Sequence, residues 1–288
     1  MQKVVKALCD ALTLAVKPIG ANASFFFFMY ALGCVSSWAV LPDSKGAKVY
    51  DNLYLELLLD TYALCIVLAL LPLAVRRWAR GLLYVALYTT SLVDVYCFVK
   101  FQSTLTPSML MLVGETDTRE AGEFLRSCVS PGVITSSVGW VLALIILHVL
   151  TALRLKFPHI IPHRTEQRLR EAGRRIAAFA SETYVRAAAG LAVVIMVVWA
   201  AVVSADNKQA TWKLMSGTNI GEVEHTLTEK DHAQLYLPAY RLVFSVYANS
   251  LAAKQIDRLI AGINDVRVDS CSYSSPTIVL IIGESYSR

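Results

Sequence analysis

The residue with the clearest chemical potential is Glu284. It follows Pro276-Thr277-Ile-Val-Leu-Ile-Ile-Gly283, a short β-branched and aliphatic run bounded by Pro and Gly. That run reads as the first buried strand of an α/β domain, with Glu284 delivered at its C-terminal end, where open α/β sheets place ligands. A carboxylate there suits a divalent metal that activates a nucleophile or polarises a phosphoryl oxygen. The run is far too short to cross a bilayer, which takes about 20 apolar residues. A second candidate lies between Thr104 and Leu125. Pro107 suits a first helical turn with Thr106 as its cap. Beyond it, Thr116 and Glu120 are four apart and share a face if the segment is helical. Alternatively, Asp117 caps a helix with Glu120 in the capping-box position. As a functional pair, the hydroxyl and carboxylate suit a cationic headgroup at a membrane surface.

Further ionisable residues fall inside apolar stretches, where an acid costs about 2.5–3.5 kcal/mol at mid-bilayer. Asp94 is expected to face the interior of a helix bundle. Glu56 and Asp60 lie four apart near a helix end and are expected to reach the interface. His148 sits in the inner half of its stretch. The G-x-S-x-G hydrolase elbow fails at Ser287, and no Walker, HExxH or GxGxxG motif occurs.

These residues need a scaffold, and the composition indicates which. The chain is 56% hydrophobic and 17% charged, with a mean hydropathy of +0.50. That balance excludes an ordinary soluble domain and points to a membrane protein. Five apolar spans are expected, at 23–41, 53–75, 81–101, 133–153 and 187–205. Helices are favoured over a barrel because ten-residue alternating strands are not seen. Residues 1–17 read as a short cytoplasmic lead-in rather than a signal peptide.

Lys and Arg set the orientation. The first segment has Lys3, Lys6 and Lys17; the 76–80 connection has Arg76, Arg77 and Arg80. The 154–186 connection is strongly basic, from Arg154 and Lys156 to Arg186. The alternate loops hold only Lys45, Lys48, Lys100, Arg119 and Arg126. The expected N-terminus is cytoplasmic and the C-terminus extracytoplasmic. Residues 164–186 form a basic segment that fixes topology or grips anionic lipid.

The expected organisation is a transmembrane domain over 1–205, amphipathic helices and a linker over 206–276, and the start of a truncated catalytic domain over 277–288. Between Tyr240 and Ile260, residues Leu242, Val243, Val246, Tyr247, Leu251 and Ile256 fall roughly on one helical face, opposite Arg241, Asn249 and Lys254. Such a helix would lie in the membrane interface or pack on a further domain. Six cysteines show no metal-like spacing. Cys34, Cys65 and Cys97 act as small hydrophobes, while a Cys128–Cys271 disulfide is open.

Two motifs together carry a family resemblance. Ile278-Val-Leu-Ile-Ile-Gly283-Glu284-Ser285-Tyr286-Ser287-Arg288 resembles the opening of the catalytic domain of bacterial phosphoethanolamine transferases, in the alkaline phosphatase/sulfatase superfamily. Glu115-Thr116-Asp117-Thr118-Arg119-Glu120-Ala121 resembles their outer-face loop. Five membrane helices before an extracytoplasmic domain is also their layout.

The resemblance implies an inner-membrane enzyme that moves phosphoethanolamine from phosphatidylethanolamine to lipid A or a lipopolysaccharide core sugar. It implies zinc, with Glu284 as a ligand, and a donor-lipid site containing Thr116 and Glu120. The nucleophilic threonine and remaining zinc ligands are expected beyond Arg288, so this stretch alone is expected to be inactive. The family's lipid A branch often has Asn four residues before the loop threonine; here that position is Leu112. The competing readings are a phosphoglycerol transferase of the lipoteichoic-acid-synthase type and a non-catalytic lipid-binding module. The Glu-Thr-x-x-x-Glu loop argues against the first. No nucleic-acid partner is expected.

Overall fold

The computed structural model describes residues 2–42, 44–115, 131–156, 183–229 and 232–266. Regular structure among the described residues is helical, and no strand occurs there. The helices are α1 (Gln2–Ala21), α2 (Ala23–Ala39), α3 (Leu53–Leu70), α4 (Leu73–Phe101), α5 (Pro107–Glu115), α6 (Pro131–Ile134), α7 (Ser137–Lys156), α8 (Thr183–Met215), α9 (Ile220–Thr228) and α10 (Pro238–Asn264). The expected strand at 277–288, the basic segment before residue 183, and both Cys128 and Cys271 lie outside the described residues.

Three helices, α3, α4 and α8, are long and apolar enough to cross a membrane. A fourth span arises if α1 and α2 act together; they meet at a bend of 72°. The apolar part of α7, Ser137–Leu153, is shorter. Five spans were expected; by length and hydropathy the described helices give three or four. Large apolar residues on these helices face outward, such as Trp78 at 84% and Leu70 at 80% exposure. In water such a surface would aggregate; around a membrane span it meets lipid. The chain has the character of a membrane protein.

The breaks have local causes. Asn22 sits at the α1–α2 bend, and its Nδ2 donates to the Pro18 carbonyl at 3.2 Å and the Cys65 carbonyl at 3.3 Å. Residues 2–17 of the expected lead-in belong to α1, which packs along α8 and α3. The second span was expected to reach Val75 but stops at Leu70. Leu71 precedes Pro72 and is extended, with ψ 145, because the proline ring disfavours helical geometry before it. The helix restarts at Leu73, so α4 begins eight residues earlier than Gly81. Arg76 then closes the break: its Nη2 donates to the Ala69 and Leu71 carbonyls at 2.7 and 3.0 Å. That satisfies carbonyls left free at the end of α3.

The main core joins α2, α3, α4 and α7 through Phe25, Phe28, Leu32, Leu68, Val95 and Val141. A second core unites α8, α9 and α10 through Leu214, Val223, Phe244, Ala248 and Leu251. Asn219 caps α9, accepting from the Glu222 N–H at 2.9 Å. The Glu222 carboxylate in turn accepts from the Thr218 N–H at 2.7 Å, a pairing close to a capping box. Pro238 opens α10 after the extended Leu237.

The face of α10 corrects the sequence expectation. Arg241, Phe244, Ser245, Ala248 and Leu251 are buried, while Val243, Val246 and Ile256 are about half exposed, at 55%, 52% and 50%. Arginine was placed on the solvent side because its charge is costly to bury; a buried acid reverses that preference.

Close approach of α1 to α8 requires Gly190, where an added Cβ would collide with the Leu12 carbonyl group. Gly190→Val is expected to lower the thermal midpoint of the detergent-purified protein, with overpacking costing about 1–3 kcal/mol. At Gly81 an added Cβ meets nothing within 4 Å, so Gly81→Ala should leave the midpoint unchanged or raise it.

Candidate functional site

Two buried polar assemblies gather at the end of the bundle where α10 packs. The first centres on Asp94, in α4 and fully buried. Arg241 of α10 meets it with a fork: Nε to Oδ1 at 2.9 Å and Nη2 to Oδ2 at 2.5 Å. Oδ1 also accepts the Leu105 N–H at 3.0 Å. Arg241 Nη1 donates to the Leu235 carbonyl at 2.8 Å. One carboxylate thus ties α4 to α10 and to the short approach to α5. In that approach Thr106 Oγ1 accepts from the Met109 N–H at 3.3 Å, the cap expected from the sequence. Asp94 faces the bundle interior as expected, and its partners give it a structural role.

The second assembly is built on the first turns of α3. Glu56 and Asp60, four residues apart, share one face. Neither is an interface residue in open water: Glu56 is fully buried and the Asp60 side chain is 20% exposed. Their partners come from the far end of α8. Asn207 Nδ2 donates to both Glu56 oxygens at 3.0 Å. Lys208 Nζ reaches Glu56 at 3.0 Å and Asp60 at 2.6 Å. The segment leading into α10 supplies two phenols. Tyr236 and Tyr240 both donate to Asp60 Oδ2, the latter at 2.7 Å, and Lys208 donates to Tyr240 Oη at 2.6 Å. Burial first, and then the Asp60 carboxylate, push both phenols well above the usual tyrosine range. They therefore stay protonated as donors. Glu56, Asp60 and Lys208 sum to one formal negative charge.

His148 belongs to a third, drier contact. Its Nδ1 forms a hydrogen bond with Tyr88 Oη at 3.0 Å, and its ring stacks on Phe28 with centroids 4.2 Å apart. It serves as packing between α2, α4 and α7.

Thr116, Glu120 and Glu284 lie outside the described residues. Among the described residues, no three of His, Cys, Asp and Glu gather to hold a metal ion, so the described part offers no zinc site. Asn207, Lys208, Tyr236, Tyr240 and Arg241 were not singled out as site residues from sequence. Their signal was indirect: three acids in apolar stretches each require a cation or donors, and Lys208 and Arg241 are cations at the edges of apolar segments. Comparison of the chain with protein families, curated proteins and solved structures finds no match.

The fork geometry makes a sharp expectation. Asp94→Ala strands a buried guanidinium and is expected to cost about 3–5 kcal/mol. Arg241→Met with Asp94→Leu should recover a large part of that loss, because the stranded charge is gone. Thermal unfolding of the three proteins in one detergent measures this; equal damage in the single and double variants would mean that the pair does not hold α10.

Proposed function

We propose that the chain is the membrane part of a phosphoethanolamine transferase. In this reading it presents phosphatidylethanolamine to an extracytoplasmic catalytic domain, and the acceptor is lipid A or a lipopolysaccharide core sugar. The protein sits in a bacterial inner membrane with its N-terminus cytoplasmic. The two sequence motifs carry the proposal, and one structural observation supports it. The chain enters the Glu115–Ala121 motif from α5 and proceeds toward the Ile278–Arg288 motif from α10. Those two helices pack together, and Asp94 bonds the segment before α5 and the first turn of α10 at once. A donor-lipid loop and a catalytic domain would need that kind of common footing, since a misplacement of about 1 Å can cost about a hundredfold in rate.

The chemistry assigned to each residue follows from its type. Glu120 would accept from the ethanolamine ammonium, and Thr116 would orient the phosphate or the amine through its hydroxyl. Glu284 would be one zinc ligand. Zinc would supply electrophilic stabilisation of the phosphoryl group.

The test uses a polypeptide that continues from Arg288 into a threonine-bearing catalytic domain, expressed in cells whose lipid A is analysed by mass spectrometry. A phosphoethanolamine mass increment is expected on lipid A or core. Glu284→Ala should remove both the increment and bound zinc. Glu120→Gln should reduce the increment about tenfold or more, the worth of one charge-assisted hydrogen bond. The 288-residue chain alone should transfer nothing. Turnover by that chain, or full zinc occupancy in Glu284→Ala, would overturn the assignment.

A further inference from the structure

Contacts between α8 and α10 fix the direction in which α10 leaves the bundle. The apolar run of α8 ends before Asp206, Asn207 and Lys208, and Lys208 meets Tyr240 in the first turn of α10. Further along both helices, Tyr247 donates to the Gly217 carbonyl just past the end of α8, and Leu214 packs with Ala248 and Leu251. The two helices therefore leave the apolar zone side by side, pointing the same way. α8 ends at Met215, but α10 runs on past Leu251 to Asn264, about 20 Å at the helical rise per residue. No described helix covers these last turns: each residue from Ala253 to Val266 is exposed.

The projecting part is amphipathic. Ala252, Ile256, Leu259, Ile260 and Ile263 recur at helical spacing along one face, while Lys254, Asp257 and Arg258 take the other. The large residues of the stripe are between 50% and 69% exposed. The stripe lies beyond the level at which α8 turns polar, so hydrocarbon does not cover it. It is also small. About 16 Å from Ala252 to Ile263 and about 10 Å across one helix, it falls well short of the roughly 800 Å² that each partner contributes to a stable interface. A second protein, or a second copy of this chain, would gain little from it alone. A segment of the same chain needs no such area, because tethering holds it at an effective concentration in the millimolar range.

We propose that this stripe is the seat of residues Ile278–Ile282, later in the same chain. Roughly eleven residues separate Val266 from Ile278, enough to reach about 40 Å when extended, so the run can turn back along α10. From Ile278 to Ile282 every residue is β-branched or aliphatic, the pattern of a strand that is covered on both faces. As a strand the run is about 17 Å long, close to the length of the stripe. The stripe supplies one of the two covers that the run requires. α10 then acts as a strut. Asp94 and Arg241 root its first turn in the bundle, and its far end carries the run at a fixed distance from that root. The seat rests on the apolar pattern of both segments and does not require that the protein be a transferase.

Photo-crosslinking of the full chain in vesicles of phosphatidylethanolamine and phosphatidylglycerol tests it, with products mapped by mass spectrometry. Benzoylphenylalanine placed at Ile260 is expected to crosslink, within one molecule, to the peptide that contains Ile278–Ile282. Placed at Lys254, on the opposite face, it should yield little of that product. Hydrogen exchange gives the second readout. Leu280→Asp with Ile281→Asp puts one charge on each face of the strand. That double variant should speed exchange of the Ile256–Asn264 amides about tenfold or more, the worth of one buried aliphatic side chain. Exchange over Pro238–Leu251 should stay as it is, and Ser274→Asp in the connection should change neither region. The proposal fails if the Ile260 probe reacts with lipid or with a second copy, or gives no product. It fails equally if the double variant leaves exchange over Ile256–Asn264 unchanged. Neither readout involves headgroup transfer, so the transferase reading stands or falls separately.

Discussion

The Asp94–Arg241 pair is the constraint on which the α10 end of the bundle depends. Both partners lie almost wholly out of solvent, with side-chain exposures of 0% and 10%. Bringing two charges out of water costs several kcal/mol per ion, and attraction repays it only where geometry and further hydrogen bonds are good. Here the fork is bidentate, Asp94 takes a backbone N–H as well, and Arg241 takes a backbone carbonyl. The Leu235 carbonyl contact has a further consequence: it fixes the chain between Leu235 and Arg241. That short stretch carries Tyr236 and Tyr240 to Asp60. The second polar assembly is therefore positioned by the first, although the two carboxylates sit on different helices.

The sequence made the acids legible and left their partners hidden, for a physical reason. An acid inside an apolar stretch is conspicuous because it is costly wherever it points. Asp94, Glu56 and Asp60 were visible on that ground alone. Their side-chain partners lie 147 to 180 residues away along the chain, and no local pattern reports such a pairing. The amphipathic reading of α10 failed for the same cause. A periodicity argument assigns arginine outward, and with that sign reversed the buried stripe becomes Arg241, Phe244, Ala248 and Leu251. Capping was more legible, since it is local. Thr106 does cap α5, whereas the expected 53–75 span runs through Pro72, which ends α3. But Pro72 also starts the next one, so the span boundaries moved by several residues. Thr116, Glu120 and Glu284 rest on motif and resemblance, and the described helices bear only on the footing from which those segments depart.

A polar layer and an apolar slot lie side by side at this end of the bundle, and one segment borders both. Leu237–Tyr240 lines an apolar crevice of about 350 Å³ between α2, α3 and α4, while Leu235, Tyr236 and Arg241 line a pocket of about 280 Å³ with Lys48, Tyr50 and Gln234. Leu237 packs with Leu53, Leu57 and Tyr236 in the small core between them. Ser37 Oγ holds the Tyr236 carbonyl at 3.2 Å, and Asn207 exchanges bonds with Gln234. The segment is thus fixed from α2, α4 and α8 together. The cost of burying Asp94 and Arg241 therefore goes into the rigidity of this segment, which holds both tyrosines on Asp60 and starts α10 at a fixed place.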